Sequence, residues 1–118
     1  MLKQSDLEKI EQWNTGYGIS KDKSMETLTL CQSITNTWFS NHKPIDKESF
    51  ELALIDEDGA EAHVLNGINE SNAAVTIADI LLTKSADYAS VSLRSFSFKE
   101  GRKTINSVLG VLDITKNS

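Results

Sequence analysis

The sequence has little of several features that mark specialised classes of protein. Its 118 residues include one cysteine, Cys31, and one proline, Pro44. A single cysteine excludes an internal disulfide. No apolar run is long enough to span a bilayer, and the polar start MLKQSDLEKIEQW lacks the apolar core of a signal peptide. These absences predict a cytoplasmic protein that folds as a single globular domain over residues 1–118.

Basic residues are scarce in the middle third of the chain, although the net charge of the whole is only −5. Residues 45–82 contain one basic residue, Lys47, and nine acidic ones: Asp46, Glu48, Glu51, Asp56, Glu57, Asp58, Glu61, Glu70 and Asp79. A surface with this charge repels nucleic acid and anionic lipid and attracts a cationic protein. The sequence therefore predicts no nucleic-acid or membrane partner. The plainer interpretation of the same acids is a solvated face.

Residues that could form a metal or catalytic site are few and badly spaced. Cys31, His42 and His63 lack the paired spacing that chelation of zinc favours. Cys31 lies in an apolar stripe, where a lone thiol is usually a small core residue. The segment NTGYG has no lysine placed for phosphate. We therefore expect no metal, no cofactor and no catalytic residue.

Two helices are predicted before Pro44. SDLE, starting at Ser5, has the spacing of a capping box, and the helix that follows would bury Leu7, Ile10 and Trp13 and end near NTGYG. Residues 24–40 alternate like a strand but also fit a helix. We favour the helix, because it leaves Gln32 and Asn36 in solvent. Its buried stripe would be Leu28, Cys31, Ile34 and Trp38.

The segment FELALIDEDGAEAHVL predicts a β-hairpin with an acidic tip. A three-residue loop, Glu57 to Gly59, pairs Asp56 with Ala60, Leu54 with Ala62 and Leu52 with Val64. A two-residue Asp-Gly loop would instead set Leu52 and Leu54 opposite Leu65 and His63 and blur both faces. We favour the longer loop. Its second face would be mixed and half exposed, with Glu51, Ala53, Ile55, Glu61 and His63.

The remaining segments are rich in Val, Ile, Thr and aromatic residues and are expected to be β structure: residues 74–83, 88–98 and 103–115. For residues 73–83 a helix stays open as the alternative. Within residues 88–98 the apolar parity changes, which predicts a bulge near Arg94 and Ser95. Residues 103–115 also fit a helix, but Gly110 and the β-branched residues favour a strand. The order of the segments predicts an α+β fold, with N-terminal helices followed by a mainly antiparallel sheet or small β-sandwich.

A small acidic chain without catalytic residues has the physical profile of a protein-binding inhibitor, such as an immunity protein or antitoxin that covers the basic active site of a nuclease toxin. Its partner would be a cationic protein. The partner-binding residues predicted from charge and aromatic character are Glu51, Asp56, Glu57, Asp58, Glu61, Tyr17 and Trp38. The alternatives are an adaptor subunit that assembles through an exposed sheet edge, with residues 89–98 as the candidate edge, and a small-ligand-binding protein or enzyme.

Overall fold

The computed structural model describes residues 3–114 and contains three helices and four strands. The elements are α1 (Gln4–Tyr17), α2 (Lys21–Asn41), β1 (Ser49–Ile55), β2 (Glu61–Ile68), α3 (Ala73–Thr83), β3 (Ser90–Lys99) and β4 (Arg102–Asp113). The strands form one antiparallel sheet in the order β2-β1-β3-β4. The α+β architecture, with helices at the N-terminus and a sheet after them, is confirmed. Thr115, the predicted end of the sheet, lies outside the described residues.

The hydrophobic core lies between the helices and one face of the sheet. Alternate residues of the two central strands point into it, Leu52 and Leu54 from β1 and Val91 and Leu93 from β3. The helices contribute the buried side chains of Ile10, Trp13, Leu28, Cys31, Ile77 and Ile80. No helix of residues 3–114 covers the opposite face of the sheet, which carries Glu51, Arg94 and Phe96, and we call it the helix-free face.

The capping pattern of helix α1 begins two residues earlier than the sequence predicts. The backbone N–H of Lys3 donates to Asp6 Oδ2 at 3.0 Å, so Asp6, and not Glu8, closes the N-terminus. Ser5 is already inside the helix. This shift buries Asp6 and leaves Leu7 exposed, whereas Ile10 and Trp13 are buried as expected.

Helix α2 covers residues 24–40, so the helical interpretation of that segment is confirmed. Ser20 begins it, because its hydroxyl accepts the backbone N–H of Lys23 at 3.1 Å. Leu28 and Cys31 are buried in the core, and Trp38 is half-buried against β4.

Residues 74–83 form helix α3, so the expected strand there is wrong. The composition of the segment suits a strand, but its buried residues recur at helical spacing: Ala73, Ala74, Ile77, Ala78 and Ile80. Small alanines on this face let α3 lie close to α2, and its larger apolar side chains join the core. Packing against an apolar surface therefore outweighed the local β preference of Val75, Thr76 and Ile77.

The first hairpin has the predicted three-residue loop but not the predicted register. Asp56 N–H donates to Ala60 O at 2.9 Å, and Ile55 pairs with Glu61. Ala62 is then an extra residue in β2, a bulge after which Leu54 faces His63. The pairings Leu54–Ala62 and Leu52–Val64 are therefore wrong. Leu52 instead faces Leu65, the arrangement expected of the shorter loop.

Strand β3 is a central strand, so the suggestion that residues 89–98 form an exposed edge is wrong. It pairs residue by residue with β1 and has no bulge at Arg94 or Ser95. The extra residues are Asn106 and Leu109, on β4. Because β3 has no bulge, its side chains keep alternating between the two faces, and the apolar residues before and after Arg94 lie on different faces. Val91 and Leu93 face the helices, while Phe96 lies with Arg94 on the helix-free face.

Residues 102–113 form strand β4, as the strand interpretation predicts, and the strand approaches α2 closely at Gly110. A Cβ built on Gly110 would overlap the indole ring of Trp38. We expect Gly110→Ala to lower the free energy of unfolding by about 1 to 3 kcal/mol, because the indole cannot stay where it is. Urea denaturation measures the change.

Gly16 is a matched control for that substitution. It lies in α1 with open space where a Cβ would be, so Gly16→Ala should stabilise the protein by up to about 1 kcal/mol. If steric overlap is the cause, Trp38→Leu should restore part of the stability lost in Gly110→Ala. Equal effects at the two glycines would contradict this account.

Candidate functional site

The helix-free face has a cluster of charged side chains at its centre, with one residue from each strand. Arg94 on β3 lies directly opposite Glu51 on β1, and Arg94 Nε donates to Glu51 Oε2 at 2.9 Å. A terminal nitrogen of Arg94 also contacts Glu51 and Glu61 of β2, and the ammonium of Lys103, from β4, lies against Glu51 Oε1. We call these four residues the four-strand charge cluster.

The burial of Glu51 makes its two cationic partners necessary for stability. The side chain of Glu51 is 0% exposed, so its charge depends on Arg94 and Lys103 for compensation. Burial alone would lower the pKa of Arg94, but its hydrogen bonds to Glu51 and Glu61 and their charges outweigh burial and raise it. Arg94 is therefore a permanent cation. With two acids and two bases, the cluster is electrically balanced.

The cluster changes the position of two predicted partner-binding residues. Glu51 was expected on a half-exposed face, but it is out of solvent and unable to reach a partner. Glu61 binds Arg94 while 45% of its side chain is exposed. The missed residues are Arg94 and Lys103. The signal for Arg94 was the parity of β3, since Arg94 alternates with the core residue Leu93 and so lies on the other face of the strand.

The three acids of the hairpin tip between β1 and β2 have two different roles. Asp56 Oδ1 accepts the backbone N–H of Asp58 at 3.0 Å and that of Ala60 at 2.9 Å, so Asp56 orders the loop. Gly59 supplies a φ of 82°. Glu57 and Asp58 are exposed. The loop thus holds two solvent-facing carboxylates on an ordered backbone.

The two predicted aromatic anchors lie in the helical layer. Tyr17 is the last residue of α1 and is 60% exposed. Trp38 packs on Gly110, whose neighbour Leu93 faces the helices, so Trp38 and Glu51 are on opposite sides of the sheet. The structure therefore brings Glu51 and Glu61 together but separates Trp38 from them. Partner binding by any of the predicted residues stays a prediction.

The residues considered for metal or nucleophilic chemistry are scattered. Cys31 is in the core, where burial raises the pKa of its thiol to about 12. His42 binds Glu48, and His63 is exposed on β2. Among residues 3–114, no three His, Cys, Asp or Glu side chains gather in a way that would hold a metal ion. No helix in that range has both the length and the apolar character to cross a membrane.

Comparison with known proteins adds no relative. No protein-family model, no curated protein and no solved structure matches the chain.

Glu48 connects the loop after α2 to the sheet. Its Oε1 lies 2.7 Å from His42 Nε2 and accepts the hydroxyl of Ser95 at 2.5 Å, and its Oε2 accepts the N–H of Ile45 at 2.8 Å. Burial alone would raise the pKa of Glu48. The hydrogen bonds from Ser95, Ile45 and His42, with the charge of His42, outweigh burial and lower it. The ionised carboxylate is therefore the form that stabilises the fold.

We expect Glu51→Gln to cost about 3 to 5 kcal/mol of stability, because it leaves Arg94 and Lys103 without their shared anion. Glu61→Gln removes the same charge from the same cluster at an exposed position, so it should cost less than about 1 kcal/mol. Chemical denaturation of the two variants at neutral pH measures both. Similar losses would show that the burial of Glu51 is energetically unimportant.

Acid should weaken the fold through Glu48. A carboxyl whose pKa is lowered on folding stabilises the protein above its unfolded pKa, and this contribution is lost as the pH falls through the folded value. The free energy of unfolding should therefore decrease between about pH 6 and about pH 3, and the difference between wild type and Glu48→Gln should shrink. Glu8→Gln, on the exposed surface of α1, is the control that should keep the wild-type pH profile.

Proposed function

We propose that this chain is a protein-binding inhibitor, of the immunity-protein or antitoxin type, that acts in the cytoplasm on a cationic partner such as a nuclease toxin. It would work by covering a basic surface and not by catalysis. The observation that carries the proposal is the ordered hairpin tip, where Asp56 fixes the loop and Glu57 and Asp58 remain in solvent.

The distribution of the acids supports this choice of surface. Of the acidic residues in the middle of the chain, several bind groups of the protein itself: Glu48, Glu51, Asp56, Glu61 and Asp79. Their charges are compensated or used in the fold. Glu57 and Asp58 are exposed at the end of the sheet, where a partner can approach without displacing a helix. An ordered loop also loses little conformational entropy on binding.

Charge at such a tip acts mainly on the rate of encounter. Exposed carboxylates attract a basic surface over roughly the Debye length, about 10 Å at 0.1 M salt. They accelerate association more than they slow dissociation. The tightness of a complex would come from apolar contacts nearby. The exposed ring of Tyr17, in the helical layer, is a candidate for that role.

A second function, an adaptor subunit that assembles through its sheet, is favoured by one observation. Strand β4 is the last strand of the sheet, is 12 residues long and has exposed apolar side chains along it. Assembly through an edge or face of β4 leaves the hairpin tip free, so the two functions are compatible.

We expect Glu57→Gln combined with Asp58→Asn to slow association with the cationic partner by about tenfold at low ionic strength and to leave the melting temperature unchanged. The partner is first captured from the producing cell with the wild-type protein, then purified, and association is measured by stopped flow at several salt concentrations. Its activity is assayed with and without the chain.

The matched control is Asp22→Asn combined with Glu26→Gln, which removes one aspartate and one glutamate charge from the exposed surface of α2. This variant should associate at the wild-type rate. Equal slowing by both double variants would mean that net charge alone matters, and an unchanged, salt-insensitive rate in the tip variant would place the interface elsewhere. A captured partner that keeps its activity in the complex would contradict the proposal that the chain is an inhibitor.

A further inference from the structure

Strand β2 contains the dipeptide Asn66–Gly67 at a bulge near its end. Two residues of β2 lie here opposite one residue of β1, Glu51, because the flanking pairs are Phe50–Ile68 and Leu52–Leu65. Gly67 has a φ of 74°, the left-handed conformation common at bulges. Both residues are exposed, and apart from the chain neighbours no atom lies within 4 Å of where a Cβ of Gly67 would be. The dipeptide is therefore open to water and has room around it.

The side chain of Asn66 lacks the contacts that hold most other asparagines. Of the seven asparagines in the described part of the chain, four have a side-chain hydrogen bond: Asn14, Asn69, Asn72 and Asn106. Asn36 and Asn41 have none, but both lie in α2, and the N–H after Asn41 donates to Phe39 O at 3.2 Å. Within residues 3–114, Asn66 alone combines a free amide with a following glycine.

An asparagine followed by glycine has a characteristic reaction with its own backbone. The nitrogen of the glycine loses its proton and attacks the side-chain carbonyl carbon Cγ, which closes a five-membered succinimide ring and releases ammonia. Water then opens the ring at either carbonyl, giving aspartate in one case and isoaspartate, with the chain running through the side chain, in the other. Glycine favours the attack because it has no side chain to obstruct it.

We propose that Asn66 is a site of spontaneous modification, converted in the folded protein to aspartate and isoaspartate by ring closure with the nitrogen of Gly67. The bulge gives this dipeptide the space for the ring, and its exposure supplies the water that opens it.

The hairpin tip offers a second dipeptide of similar kind, Asp58–Gly59, for comparison. There the N–H of Gly59 donates to Asp56 O at 3.0 Å, so the attacking nitrogen is held in place. The negative carboxylate of Asp58 is also a poor target for a nucleophile. The structure therefore selects Asn66–Gly67 over Asp58–Gly59. Modification at Asn66 leaves the acids of the tip unchanged, so this proposal and the inhibitor proposal can fail independently.

The product adds a negative charge beside the four-strand charge cluster. Leu65 faces the helices, because it is opposite the core residue Leu52, so Asn66 next to it is on the helix-free face. There Asn66 lines the same depression as Lys103. The cluster contains two acids and two bases, so a further carboxylate gives it an excess of negative charge close to the buried Glu51. Conversion of Asn66 is therefore expected to weaken the fold.

Incubation of the purified chain at mildly alkaline pH tests the reaction. Peptide mapping by mass spectrometry follows the exchange of the Asn66 amide for a carboxyl group, and an isoaspartate-specific methyltransferase with a labelled methyl donor detects isoaspartate. We expect Asn66 to be lost progressively, and faster at higher pH, because the attacking nitrogen must lose its proton. Asn36 and Asn41 should be unchanged in the same samples.

Asn66→Gln is the matched variant for the reaction. It keeps an exposed amide before Gly67, but its longer side chain would have to close a six-membered ring, which forms far more slowly. The variant should therefore show no conversion on the same time scale. Conversion as fast as in the wild type would overturn the proposed ring closure.

A parallel incubation in guanidinium chloride separates the effect of the fold from that of the sequence. A folded protein in which Asn66 is intact after the unfolded chain has been converted would overturn the proposal, because the fold would then protect the site. Loss of Asn36 or Asn41 as rapid as that of Asn66 in the folded protein would overturn the role of the bulge.

Asn66→Asp introduces the new charge without altering the backbone, and so tests the link to the charge cluster. Its urea denaturation midpoint should lie below that of Asn66→Gln, and high salt should reduce the difference, because ions screen the repulsion. Circular dichroism confirms that both variants are folded. Equal midpoints at low salt would overturn the link to the cluster.

Discussion

The compensation of Glu51 inside the sheet is the interaction on which the arrangement of the strands depends. Its carboxylate is enclosed on the helix-free face, where Arg94 and Lys103 bring the opposite charge from two other strands. A slip of one residue in β1 would turn Glu51 into the apolar core and Leu52 out of it. Because neither residue tolerates that exchange, the cluster and the core specify the same register. Glu61 extends the cluster to the fourth strand.

This requirement also explains how the acidic charge of the chain is distributed. An acid with a structural partner contributes to the fold, as Glu48 does at the loop after α2 and Asp79 does where it accepts the indole N–H of Trp13 at 2.8 Å. Glu57 and Asp58 are exposed acids for which the structure shows no such role. They lie at the hairpin tip, where the backbone is ordered by Asp56.

The two faces of the sheet therefore differ in composition. One is covered by helices and holds the apolar core. The other combines the four-strand charge cluster with the exposed apolar side chains of β4. The change of parity in β3 is what makes this division possible, since a single strand supplies Leu93 to the core and Phe96 to the other face.

Local physical chemistry in the sequence was enough to predict the first two helices, the three-residue acidic loop, the last strand and the α+β class. These depend on capping groups, turn residues and periodicity, which act over a few positions. The charge balance of the middle third was likewise readable. Asp56, Glu57 and Asp58 were all expected in solvent, and this holds for Glu57 and Asp58, whereas Asp56 is half-buried and orders the loop.

Where local preference and packing favoured different structures, the tertiary structure decided which of them formed. Residues 74–83 became a helix because their apolar side chains at helical spacing pack into the core beside α2, against their β preference. The bulge at Ala62 shifted the hairpin register by one residue, and the absence of a bulge in β3 left Phe96 on the helix-free face. Glu51 looked like an exposed acid in sequence, since the cations that allow its burial lie 43 and 52 residues away. Contacts over that distance are formed by the fold, and no local pattern encodes them.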